Sequence, residues 1–96
     1  MTEEPGRAID PERVAVAWRG RGYSCHRMVD PPGQCWRDFV HAENELLVVV
    51  EGRLELEVEG QIREVGPGEE VFIPARARHT VRNTHQAPTH WLFGYD

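Results

Sequence analysis

From Tyr23 onward the chain runs in short apolar or alternating stretches, each cut off by Gly, Pro, Asn or Asp before a helix could be completed. Such punctuation leaves room for strands and tight turns, the pattern of an all-β sandwich or barrel. The expected strands are residues 23–29, 36–41, 45–50, 53–58, 61–65, 70–73, 79–83 and 89–95. Leu54-Glu55-Leu56-Glu57-Val58-Glu59 is the clearest, since strict alternation sends three apolar side chains inward and three glutamates to solvent. Glu51-Gly52 and Glu59-Gly60 read as tight hairpin positions. Asp30-Pro31-Pro32-Gly33 and Gly66-Pro67-Gly68 read as turns, proline fixing φ and glycine supplying φ > 0.

Ahead of this region, Asp10-Pro11-Glu12 has the chemistry of a helix start: a capping carboxylate, proline at the first position and an acidic first turn. Val14, Ala17 and Trp18 follow at helical spacing, with Gly20 and Gly22 to end the helix. A strand with Val14, Val16 and Trp18 on one face is the competing reading, and the helix is preferred. Residues 1–9 are polar and are expected to form a loose tail. The boundaries follow as residues 1–22 for tail and short helix and residues 23–96 for the barrel.

A chain of 96 residues suffices for one core and not for two. Its net charge of −5 argues against a nucleic-acid partner, because phosphate binding needs clustered positive charge. The longest apolar run, Leu46 to Val50, is far short of the roughly 20 residues that span a bilayer. No basic-then-apolar leader opens the chain, so a cytoplasmic protein without a membrane partner is expected. In that compartment Cys25 and Cys35 should be free thiols. All eleven basic residues are Arg, which removes Schiff-base and phosphate-loop lysine chemistry.

His41 and Glu45 can converge if Ala42-Glu43-Asn44 turns between two strands, and His79, opening a later strand, would then approach from across the barrel. Two imidazoles and a carboxylate suit Zn, Fe, Mn, Ni or Cu and leave coordination positions open. On spacing alone, satisfied core or surface histidines explain these residues as well.

Residues 33–52 resemble the first motif of the cupin family: a glycine, after five residues a His-x-His pair, then Glu and a further glycine. Gly33, His41, Glu45 and Gly52 fill those places. Gly68, Pro74, His79 and Asn83 resemble the second motif, and together the two motifs cover about half the chain. The resemblance implies a double-stranded β-helix, or jelly-roll barrel, with one divalent metal ion (Zn, Fe, Ni or Mn) on His41, Glu45 and His79. It also implies a homodimer. Two places depart from the pattern. Phe39 stands where the first His of the pair belongs, which permits either a three-residue site with an extra open position or a barrel without metal. Arg76 stands at a usual glycine. Cys25, His26 and Cys35 are candidate substitute ligands.

Phe39, Phe72, Val81 and Trp91 are the apolar candidates for a substrate pocket, with Trp36 at its rim. Arg76 is the polar candidate; it would recognise a carboxylate or phosphate and make the ligand anionic. The alternative is outward charge paired with glutamates, and alternation from an inward His79 assigns Arg78 and Arg82 to that class. His85 and His90 read as exposed loop residues or a proton shuttle. The expectation is a metal-dependent enzyme of oxygenase, isomerase or lyase type acting on a small organic molecule. A non-catalytic binding module and a metal-free structural barrel are the rivals.

Overall fold

The computed structural model describes residues 9–96, so the tail expected over residues 1–9 lies, apart from Ile9, outside the described residues. Asp10 caps α1 (Pro11–Gly20), its carboxylate accepting the Glu12 N–H at 3.0 Å. Helix prevails over strand here because Val14 and Trp18, one turn apart, share the face that packs on the sheet, while Val16 points to solvent.

Eight strands follow: β1 (His26–Asp30), β2 (Cys35–Phe39), β3 (Glu45–Glu51), β4 (Leu54–Val58), β5 (Gln61–Val65), β6 (Glu70–Ile73), β7 (His79–Arg82) and β8 (Thr89–Tyr95). They form two antiparallel four-stranded sheets, ordered β1-β8-β3-β6 and β2-β7-β4-β5. Every connection except the β4–β5 hairpin passes from one sheet to the other, which makes the fold a jelly roll. In that hairpin Glu59 and Gly60 both take positive φ, 49° and 84°, the geometry that suits the right-handed twist of paired strands.

Between the sheets lies the main core, with Leu47, Val49, Leu54, Leu56, Val65, Val71, Ile73, Val81 and Trp91. A second cluster, Leu46, Val48 and Leu92, occupies the outer face of the first sheet under Trp18 of the helix. Both faces of β3 are therefore covered, which is why it reads as an unbroken apolar run. Gly94 of β8 lets the helix approach, because the Ser24 backbone and the Trp18 ring fill the space a side chain would need. No helix among the described residues is long and apolar enough to cross a membrane. Cys25 and Cys35 are free thiols.

Two strand boundaries differ from expectation by more than one residue. Tyr23 belongs to the helix end, its N–H donating to the Trp18 carbonyl at 2.9 Å, so β1 begins only at His26. The second strand stops at Phe39 rather than at residue 41, after a register shift between Trp36 and Phe39 in which Asp38 takes φ 53°. His41 is thereby released from the sheet.

Candidate metal centre and adjoining cavity

Glu45 opens β3 with the same inward parity as Leu47 and Val49, and His79 opens β7 with the parity of Val81, so the two side chains meet between the sheets. Both are buried, each 3% exposed. His41 arrives from the connection between β2 and β3, which is tied down on several sides. Its carbonyl accepts the Arg76 N–H at 2.7 Å. Asn44 donates from its backbone and side-chain nitrogens to the Asp96 carboxylate at 3.0 and 2.9 Å, and its Oδ1 accepts the Ala75 N–H at 2.8 Å.

These constraints bring His41 Nε2 to 3.0 Å and His79 Nε2 to 3.3 Å from the same oxygen, Glu45 Oε1. The three candidate donor atoms lie within 4.8 Å of one another. Each imidazole is oriented by a backbone carbonyl, His41 Nδ1 donating to Glu43 at 3.0 Å and His79 Nδ1 to Ala77 at 2.9 Å. A carbonyl can only accept, so the Nδ1 atoms carry the protons, and neutral rings turn their Nε2 lone pairs toward a carboxylate that is also an acceptor. Only a cation reconciles three acceptors facing one point. The donor set thus fits a divalent metal, with the Glu43 and Ala77 carbonyls holding both ligands in the required tautomer. A proton is the smallest cation that serves. Burial by itself pushes the His79 pKa down, but the hydrogen bonds to Glu45 and the Ala77 carbonyl, with the Glu45 charge, lift it above the ordinary 6.5.

Beside the triad is a cavity of about 190 Å³ lined by Met28, Trp36, Phe39, Val81, Trp91 and Phe93, with Glu45, His79 and Tyr95 at its polar end. Phe39, 45% exposed, stands at the mouth with its ring 6.2 Å from that of His79 and stacked on Trp36. It puts carbon, not a ligand atom, on that side of the triad. The Tyr95 ring packs edge-on against His41 at 4.8 Å. Its hydroxyl is held protonated above the usual range, by burial first and then by the charges of Glu45 and Glu43.

Of the residues expected at the pocket, Phe39, Val81 and Trp91 line it, whereas Phe72 and Arg76 do not. Phe72 lies between inward Val71 and Ile73, so strand alternation turns it outward, 53% exposed. Arg76 is exposed in the turn before β7, where its φ of 68° is a conformation that glycine fills without strain. Arg82 pairs with Glu55 at 2.8 Å, as outward charges should. Among the described residues, Cys25, His26 and Cys35 do not join the triad. Nor do His85 and His90 line the cavity. Met28 could have been assigned to the wall from alternation along β1. Asp30 had no such signal. It reads as a turn residue, yet it is buried and its Oδ2 accepts both indole N–H groups, Trp36 at 2.9 Å and Trp91 at 3.1 Å.

A protein-family model described as "Cupin domain" matches residues 26–95. Among solved structures, the chain is similar to the cupin domain of an XRE-family transcriptional regulator from Enterobacter cloacae, at 24% identity and TM-score 0.70, covering 76% of this chain and 79% of that one. It is similar to the protein TT1209 from Thermus thermophilus at 25% identity and TM-score 0.70, covering 76% and 71%. It is also similar to an oxalate oxidase at 21% identity and TM-score 0.70, covering 78% of this chain but 42% of that one. No curated protein matches the chain.

Proposed function

The chain belongs to the cupin family, and on that premise we propose that it is a metal-dependent cupin holding one divalent ion through His41, Glu45 and His79 and acting on a small organic molecule in the adjoining cavity. The observation that carries this reading is the meeting of two Nε2 atoms and one carboxylate oxygen, with both imidazoles locked by carbonyls, at the polar end of an apolar cavity. The similarity to an oxalate oxidase supports a small organic substrate.

A bound zinc, nickel or manganese ion would supply Lewis acidity for isomerase or lyase chemistry, and iron the redox chemistry of an oxygenase. The chain's own part is positional and protic. The Glu43 and Ala77 carbonyls fix the imidazoles, Trp36 and Trp91 exclude water, and Tyr95 offers a proton beside Glu45. We take the protein to be cytoplasmic, which suits its free thiols. We also take it to be a homodimer, which would cover edge strands left open in both sheets; light scattering tests this.

Elemental analysis of protein purified without added metal is the direct test. One equivalent in the wild type, lost in His41→Ala and His79→Ala, is expected; each change should cost more than the roughly 10- to 100-fold in affinity that outer-shell partners are worth. No metal in the wild type, or full retention in both variants, would sink the site. Aerobic and anaerobic incubation of the loaded protein with a metabolite panel then separates oxygenase from non-redox chemistry. A binding module is the second reading, favoured by a cavity that offers only Tyr95 as a proton source beyond the triad. Tight binding without turnover across the panel would establish it.

A further inference from the structure

We propose that the cavity is built for a one-headed ligand: a single aromatic ring, or an apolar body of that size, carrying one oxygen-bearing group and no second polar end. The proposal deepens the reading above, resting on it only for what receives the head group.

Size comes first. At about 190 Å³ the cavity is slightly larger than an engineered apolar cavity of about 150 Å³ that admits benzene. Polarity comes next. Glu45, His79 and Tyr95 gather at one end, and the remaining wall is Met28, Trp36, Phe39, Val81, Trp91 and Phe93. Two of these, the tryptophans, carry N–H groups able to receive a second polar group. Both are already spent on one buried oxygen, Asp30 Oδ2, at 2.9 and 3.1 Å. Asp30 does not line the cavity, so the indoles aim their N–H groups out of it and present carbon to its interior.

Charge points the same way. Among the described residues no Arg lines the cavity. Arg82 is engaged by Glu55 at 2.8 Å and Glu57 at 3.6 Å, and Arg76 is exposed. A carboxylate or phosphate at the far end of a ligand would lose its water and gain no donor, which is costly. The anionic ligand that Arg76 suggested from sequence is therefore replaced by a body bearing one polar end. Asp30 holds both indole N–H groups away from the cavity.

The test compares phenol with 4-hydroxybenzoate, the same ring with a carboxylate at its far end, by ligand-observed NMR titration of the chelator-treated full chain. Phenol should bind saturably and at least tenfold more tightly than 4-hydroxybenzoate. Met28→Trp, which fills the cavity, should abolish phenol binding while the far-UV circular dichroism stays native. Equal or tighter binding of 4-hydroxybenzoate, no phenol binding, or undiminished phenol binding in a folded Met28→Trp overturns the proposal. If that variant does not fold, the wild-type comparison decides alone. Because the titration is done without metal, it can fail while elemental analysis finds the ion, and the reverse.

Discussion

Phe39 is directly opposite His79 in the ladder between β2 and β7, its side chain lining the same cavity as Glu45 and His79. Here the chain departs from the four-ligand pattern its motifs resemble, and the geometry gives the departure a meaning. The phenyl ring stands near the triad without blocking it, half-exposed at the mouth and supported by Trp36. Putting nitrogen back should be tolerated, since position 39 lies at an exposed strand end where a ring of similar size fits. Phe39→His is therefore expected to tighten metal binding on the order of tenfold or more, by adding an imidazole donor, and to make the cavity mouth more polar. Competition with a fluorescent chelator measures it. Unchanged affinity in a folded variant would mean that residue 39 does not reach the ion.

At the scale of elements, the helix is the component whose attachment is most open to test. Trp18 is 1% exposed over Leu46, Val48 and Leu92, and its Nε1 donates to Glu70 Oε1 at 3.1 Å. Arg21 grips the same carboxylate through both oxygens, at 3.2 and 2.9 Å. Trp18→Ala should cost about 3–5 kcal/mol in urea unfolding, the usual toll of removing a buried large aromatic. Glu70 adds a pH dependence. The hydrogen bond from Arg21, and then that from Trp18, hold its pKa below the ordinary 4.5 against the opposing effect of burial. Its contribution is thus present above about 4.5 and is lost as pH falls through the lowered value. Helix amides should exchange faster below that range in the wild type, and Glu70→Gln should remove this acid step. These elements also show what period and turn chemistry can convey. β4 was legible because one face is wet, β5 and β6 because their runs end at Gly66 and Pro74, and β8 because Pro88 sets its start. The bulge at Asp38 was not legible, since a positive φ on aspartate leaves no mark in residue types; nor was Asp30, whose partners are two indoles brought together only by the fold. Phe72 was legible and misassigned: Val71 and Ile73 on either side already consign it to the outer face.

Taken whole, the molecule has its candidate centre where the two sheets and a connection between them meet. Glu45 comes from the first sheet, His79 from the second and His41 from the segment joining β2 to β3, so an ion held by all three would tie the sheets together. A ligand that binds only the folded state stabilises it by about 2.7 kcal/mol at a free concentration 100-fold above Kd. For a chain of this size that corresponds to a rise in Tm of about 10 to 20 °C. The increment should depend on pH, because the cation and a proton compete for His79. With its pKa raised above 6.5, the proton's own stabilisation is fully present below 6.5 and fades as pH rises through the raised value. Metal therefore has less to add under mildly acidic conditions and most to add above neutrality. Thermal melts at two pH values, with each candidate metal and then with chelator, read this directly. Both the shift and its pH dependence should disappear in His79→Ala. A wild-type melting temperature indifferent to every divalent metal would remove the ion from its place between the sheets and leave a barrel stabilised there by a proton alone.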